Sequence, residues 1–365
     1  MTEAPLNPAY SGLAALIRAG LRRDSWEPDY GSALQWGTQA QSRETVEVNL
    51  ERAPLVWEPL GTPWLSTDAL TLPVPEDLVF LDGVVRMHTR LLFEQADRYV
   101  YSGLGTVVVG ALRLQPGQSL SMEQALLAPR VRRCLLLPSD CALPTGETAL
   151  PGLPFAFEHA HYTPRPDAAA EQAPEQALQQ VLRATEKDYL EALLAQYEPQ
   201  KHPAIFIVDG PLPRYSTPHA AQKMPVVGLV KTLHTRYLPP EQQRVLYALR
   251  AGQRSPLFRI GQKQISWYMC LANPQTLDTP LSGIVRLEVL SHQVQASIAA
   301  VQSLADRLCQ LLPALVLSRH EDPRSPQNIL PIHTLERQLK MRMGHRALIQ
   351  RAIDSYFHSH LQELS

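Results

Sequence analysis

The chain lacks the marks of several common classes. Its four cysteines, Cys134, Cys141, Cys270 and Cys309, form no CxxC pair and have no histidine at zinc spacing. A disulfide framework and a zinc site are therefore not expected, and the thiols read as reduced in a cytoplasmic protein. No run of ~20 apolar residues occurs that would span a membrane. The opening Met-Thr-Glu-Ala-Pro-Leu-Asn-Pro is polar and broken by proline, unlike a signal peptide. An excess of one charge is also missing: 34 Lys and Arg against 35 Asp and Glu leave a net charge of −1. A nucleic-acid partner would have to be held by local basic patches or metal ions, not by a global field.

What is present is an ordinary soluble composition, 45% hydrophobic and 19% charged, with 32 prolines. At 365 residues the chain can build a sizeable core in one large domain or two smaller ones. The most informative stretch is Ala204-Ile-Phe-Ile-Val-Asp-Gly-Pro-Leu212. An unbroken apolar run enters an aspartate, and Gly210 and Pro211 then end it. That predicts a strand buried on both faces with Asp209 at its C-terminal end. The pattern occurs once earlier, in Leu78-Val-Phe-Leu-Asp-Gly83, ending in Asp82. Asp-Gly is also a good turn former, and either unit alone admits that reading. Two such units would set two carboxylates side by side at one sheet edge, which is how oxygen ligands are offered to Mg²⁺ or Mn²⁺.

Around these units the chain reads as follows. Residues 8–22 predict an amphipathic helix with Leu13, Leu16, Ile17 and Leu21 on one face. Residues 24–76 are irregular and rich in proline and tryptophan, and predict an arm packed on the main core or presented to a partner. Residues 1–76 are therefore assigned to an N-terminal arm and 77–365 to the main domain. Leu78–Asp82, His88–Phe93 and the run from Tyr99 predict three strands joined by short connections, an antiparallel meander. Residues 175–197 predict a helix whose apolar face carries Leu178, Leu182, Tyr189 and Leu193. Glu186 falls on that face, whereas Glu191 falls on the polar side, so Glu186 is the carboxylate that needs a partner. Pairing with Arg183 or reaching water at the helix edge is the plain alternative. Pro225-Val-Val-Gly-Leu-Val-Lys231 predicts a strand, or an entry from strand to helix, that delivers Lys231. A polar loop at 252–259 carries Arg254 and Arg259, forked groups suited to phosphate. Leu335–Leu361 predicts one basic helix that includes Lys340, Arg342 and Arg346, with Arg342 and Arg346 as i,i+4 neighbours. It reads as a solvated face or as a surface that tracks a DNA backbone.

Three antiparallel strands, a helix bearing a carboxylate and a strand ending in aspartate form the order of an RNase H-like α/β fold, a mixed sheet flanked by helices. The sequence further resembles the NurA nucleases. The matching pieces are Phe80-Leu-Asp-Gly83, Ile207-Val-Asp-Gly-Pro-Leu212, Val227-Gly-Leu-Val-Lys231, Arg254-Ser-Pro-Leu-Phe258, Ser266-Trp-Tyr268, Gly283-Ile-Val-Arg-Leu-Glu288 and Asp322-Pro-Arg-Ser-Pro-Gln-Asn328, in order over roughly residues 78–350. The resemblance implies a manganese-dependent DNA nuclease that acts as a homodimer docked on the hexameric ATPase HerA in resection of double-strand breaks. It implies Asp82, Glu186 and Asp209 as metal ligands. A fourth ligand near the C-terminus is implied at His333, with Asn328 and Asp322 as alternatives. Lys231 would steady the scissile phosphate, and Arg254, Arg259, Lys340 and Arg346 would contact DNA. The competing class is a nuclease-fold adaptor of the ATPase without catalysis. An RNA-cutting enzyme of the same fold is a third reading.

Overall fold

The computed structural model describes residues 46–47, 50–51, 57–64, 77–95, 98–115, 119–139, 146–164, 169–198, 200–201, 203–212, 224–231, 237–262, 264–274, 281–290, 298–317 and 327–362. The predicted helix at 8–22 and most of the tryptophan-rich arm lie outside them. The elements in chain order are β1 (Val46–Glu47), β2 (Asp77–Gln95), β3 (Arg98–Leu114), α1 (Met122–Ala125), β4 (Leu126–Pro138), β5 (Glu147–Ala149), β6 (Ala156–Tyr162) and α2 (Ala173–Leu194). There follow β7 (Ala204–Asp209), β8 (Val226–Val230), α3 (Arg244–Ala248), β9 (Phe258–Ile260), β10 (Gln264–Cys270), β11 (Ile284–Leu290), α4 (Ile298–Leu311), α5 (Leu330–Arg342) and α6 (Arg346–Gln362). The strands form one mixed sheet in the order β1-β9-β10-β11-β8-β7-β2-β3-β4-β6-β5. An α/β chain with a large mixed sheet between helices is what the sequence led us to expect.

The sheet is built around β2. It pairs antiparallel with β3 and parallel with β7, β3 pairs antiparallel with β4, and β7 pairs parallel with β8. Ala204 to Val208 are all buried, so β7 is covered on both faces, as its unbroken apolar run predicts. Alternation sorts the β2 side chains. Val79 and Leu81 pack under α2 with Leu178 and Leu182. Leu78 and Phe80 pack on the other face with Val301, Leu308 and Ile332 of α4 and α5. Each fully buried side chain of this kind contributes roughly 1.5–3 kcal/mol of transfer free energy.

Several expectations need correction. The segments 78–82 and 88–93 are not two strands. β2 runs unbroken for 19 residues through Asp82-Gly83, with a bulge between Met87 and Thr89. A continuous partner in β3 keeps the Asp-Gly unit extended, where isolated sequence reads it as a turn. The third antiparallel strand is instead β4, whose arginines disguise it among apolar residues. The basic C-terminal helix is two helices, because Gly344 adopts φ 87° between α5 and α6, a left-handed conformation that ends a helix cheaply only at glycine. Arg342 and Arg346 are therefore not neighbours on one helix. The apolar run Ala314-Leu-Val-Leu317 reads in sequence as a short strand, but residues 312–315 form a 3₁₀ turn. Residues 240–251 read in sequence as helical, but the helix is confined to Arg244–Ala248. The described part of the arm is joined to the body: β1 pairs with β9, and Trp57 packs against the cluster that contains Phe258 and Tyr268. Among the described residues no helix is long and apolar enough to cross a membrane.

Candidate metal centre

The parallel register of β2 and β7 ends at Leu81 opposite Val208, so the next residues, Asp82 and Asp209, come side by side. By alternation both have the parity of the residues facing α4 and α5. The two strands lie roughly 4.8 Å apart, so two carboxylates are forced together on one face. The backbone N–H of Gly83 donates to Asp82 Oδ1 at 2.8 Å. Lys231, one residue past β8, is placed on the same face. Its ammonium donates to Asp209 Oδ2 at 2.8 Å and to Asn328 Oδ1 at 2.9 Å. Asn328 is fully buried just ahead of α5. Thus β2, β7, β8 and the entry to α5 each contribute one polar group to a single row.

Glu186 comes from the other side. The position of a Cβ on Gly83 is already taken: it would stand 2.5 Å from Glu186 Oε1 and 2.5 Å from Leu182 Cδ1. A bare backbone at residue 83 is therefore what lets the helix carboxylate come down onto the sheet beside Asp82. Burial pushes the Glu186 carboxyl up from 4.5 to about 7, Asp209 adds to the rise, and Arg183 opposes it. Burial also raises Asp82 well above the usual carboxylate range; Asp209 and Glu186 reinforce the rise against Lys231. These three groups thus feel one another's charge, and one ammonium is too little to neutralise them.

An all-oxygen, charge-crowded donor set of this kind has the chemistry of a hard divalent ion site. Among the described residues no group of three or more His, Cys, Asp or Glu side chains stands ready-made around one point.

The loop after Asp209 is held by a residue that sequence reading did not assign a role. Glu288, with no exposed surface, accepts from the Leu212 backbone N–H at 2.7 Å and from Arg286. An Arg-x-Glu pair inside an otherwise apolar strand was the available signal. Glu191, the alternative helix carboxylate, lies 3.9 Å from Lys187 on the outer side of α2, and the geometry favours Glu186.

The remaining candidates fall in different places. His333 is half-buried in the first turn of α5, and the described tie from this segment to the carboxylates runs through Asn328. Asp322 lies outside the described residues. Arg254 departs from the expected DNA contact. It is 3% exposed, its two terminal nitrogens reach Glu51 at 2.8 and 3.0 Å, and its Nε reaches Asp306 at 2.6 Å. Burial alone would raise Glu51, but the arginine outweighs it and holds that carboxyl below its ordinary value. Arg259 is half-buried on β9, five strands from β2, or about 24 Å at this spacing. It does not share the carboxylate site. Lys340 is exposed on α5 and pairs with Glu336 at 2.6 Å. Arg346 opens α6 and is exposed. Comparison with known protein families and with curated proteins finds no match to this chain.

Proposed function

We propose that the chain is a metal-dependent deoxyribonuclease of RNase H-like fold, similar to the NurA nucleases, that hydrolyses phosphodiester bonds. The observation that carries this reading is the pairing of Asp82 with Asp209 on adjacent parallel strands, under Glu186 and beside Lys231. The strand order β4-β3-β2-β7-β8, with only β3 antiparallel to its neighbours, supports the fold assignment. Asp82, Asp209 and Glu186 would hold one or two Mn²⁺ or Mg²⁺ ions, with the Asn328–His333 segment closing the site. Bound there, the metal would lower the pKa of an attacking water and offset charge developing on the phosphate. Lys231, kept in place by Asp209 and Asn328, is positioned to steady a phosphate oxygen. Asn328 fixes the ammonium, and Glu288 fixes the loop that follows Asp209.

In this reading the protein acts in the cytoplasm as a homodimer with a HerA-type hexameric ATPase, in resection of DNA ends. A near-neutral chain fits such a division of labour, since the ATPase can supply much of the grip on DNA. One observation favours a second reading, an adaptor without catalysis: Lys231 already neutralises Asp209.

The deciding experiment is cleavage of linear DNA with Mn²⁺, Mg²⁺ or EDTA, beside Asp209→Ala, with and without the ATPase. Metal-dependent cutting that the substitution abolishes is expected. Wild-type inactivity with the ATPase present, or full activity of Asp209→Ala, would move the adaptor reading to the front.

A further inference from the structure

A second polar row crosses the sheet on the face that carries Asp82. Arg86 of β2 pairs in register with Thr106 of β3, and Thr106 pairs with Arg133 of β4. By alternation all three share the parity of Val84, Leu104 and Leu135, which pack toward α5 and α6. The bulge in β2 re-aims His88, whose Nε2 lies 2.8 Å from Thr106 Oγ1. Arg86 donates to the carbonyl of Gly344 at 3.0 Å, which brings the row under the α5–α6 junction. Arg133 sits over the Phe155 ring, its guanidinium carbon 3.8 Å from the centroid. Arg346, exposed, stands at the first turn of α6.

This arrangement is short of negative charge. None of the three arginines has a carboxylate partner among the described residues. The first turn of α6 carries no acidic residue, although a helix N-terminus favours one. Arg133 Nε and His88 Nδ1 are buried with no hydrogen-bond partner. Unpaired buried donors and clustered like charges are both costly in an empty site. Burial holds the His88 imidazole down to about 4, and Arg86, Arg133 and Arg346 all push it the same way. The ring is therefore neutral at ordinary pH, and the positive charge belongs to the arginines. A phosphate supplies what the cluster lacks: charge, and oxygens for forked donors.

We propose that Arg86, Arg133 and Arg346, at the start of α6, form a second phosphate site that grips the nucleic-acid backbone beside the carboxylate centre. The inference rests on the nuclease reading. Arg86 follows Asp82 by four residues on one strand face, about 13 Å at 3.3 Å per residue. That is roughly four base steps of duplex. The two sites are separate, with Val84 and α5 between them, and would hold different phosphates of one bound nucleic acid.

The test is fluorescence anisotropy of a short fluorescein-labelled DNA duplex in EDTA, over a series of salt concentrations. The variants are Arg346→Gln and Arg133→Gln, with Lys201→Gln as a charge-matched control on an exposed residue paired with Glu198. Arg346 is exposed, so its variant keeps the fold even if Arg133→Gln does not. Each arginine variant is expected to bind at least about threefold more weakly near 0.1 M salt. The slope of log K against log salt should flatten by roughly 0.9 for each phosphate no longer gripped. The control should match the parent. Parental affinity and slope in Arg346→Gln overturn the site while leaving the nuclease reading standing. Asp209→Ala that still cuts overturns the nuclease reading, whatever the arginines do. A parent chain that fails to bind the duplex overturns the arginine site, while the nuclease reading still answers to the cleavage assay with the ATPase.

Discussion

Glu186 gives the sharpest test of the carboxylate cluster. Its carboxyl sits at about 7 in the folded chain against 4.5 in the unfolded one, chiefly through burial and next through Asp209. The folded state therefore holds a proton that the unfolded state has released. Stability from this group is fully present below pH 4.5 and is lost as pH rises through about 7. At about 1.4 kcal/mol per pH unit, the deficit approaches about 3 kcal/mol by pH 8, and it is only about 1 kcal/mol at pH 5. Glu186→Gln keeps the shape and removes the charge. The variant should be more stable than the parent by about 1 kcal/mol at pH 5 and about 3 kcal/mol at pH 8. For a chain of this size that is roughly 4 °C in thermal midpoint at the higher pH. Urea titrations at both pH values, read by tryptophan fluorescence, measure the gap. Millimolar Mn²⁺ at pH 8 should stabilise the parent more than the variant and narrow it. Parallel pH profiles for parent and variant would refute the argument, because they would mean that Glu186 is ionised and solvated in the folded state.

Two further predictions concern packing. Gly83→Ala would drive a methyl group to 2.5 Å from both Glu186 and Leu182. It should cost about 1–3 kcal/mol in urea unfolding and lower cleavage, by lifting the helix carboxylate off the sheet. Arg254→Ala would strand Glu51, 6% exposed, without its partner. A loss of about 3–5 kcal/mol is expected, and Arg254→Lys should recover little of it because an ammonium cannot serve Glu51 and Asp306 in forked geometry.

The parts of the fold legible in sequence are those that local pattern alone decides. β7 is apolar at every position to Val208, and α2 repeats its apolar residues at helical spacing. The inward faces of both follow from that pattern, and so does the choice of Glu186. The parts that sequence misses depend on distant neighbours. Asp82-Gly83 is extended because β3 lies along it and Glu186 fills the glycine's empty side, and neither is visible within a short window. β4 is hidden because Arg130, Arg132 and Arg133 alternate with residues of both faces, and what covers them comes from α2, Phe155 and Glu158. Arg254 looks like a solvated loop cation, since the carboxylates that bury it lie 203 and 52 residues away. Lys231 and Asn328 each stand out in the sequence, but their hydrogen bond to each other, across 97 residues, does not.

The Glu51–Arg254–Asp306 triad also bears on how the chain is made. Its members come from the arm and from two points 52 residues apart in the last third of the sequence. Arg254 is buried in the finished protein, so a chain still being synthesised cannot bury it correctly until residue 306 has emerged, however well β2 to β4 have already paired. Folding is then a late event of high contact order, with the central ribbon waiting on both ends of the molecule. Removing the arm at residue 76 would leave that last step without Glu51. A shortened chain of this kind should accumulate as a partly folded species and not as a smaller enzyme.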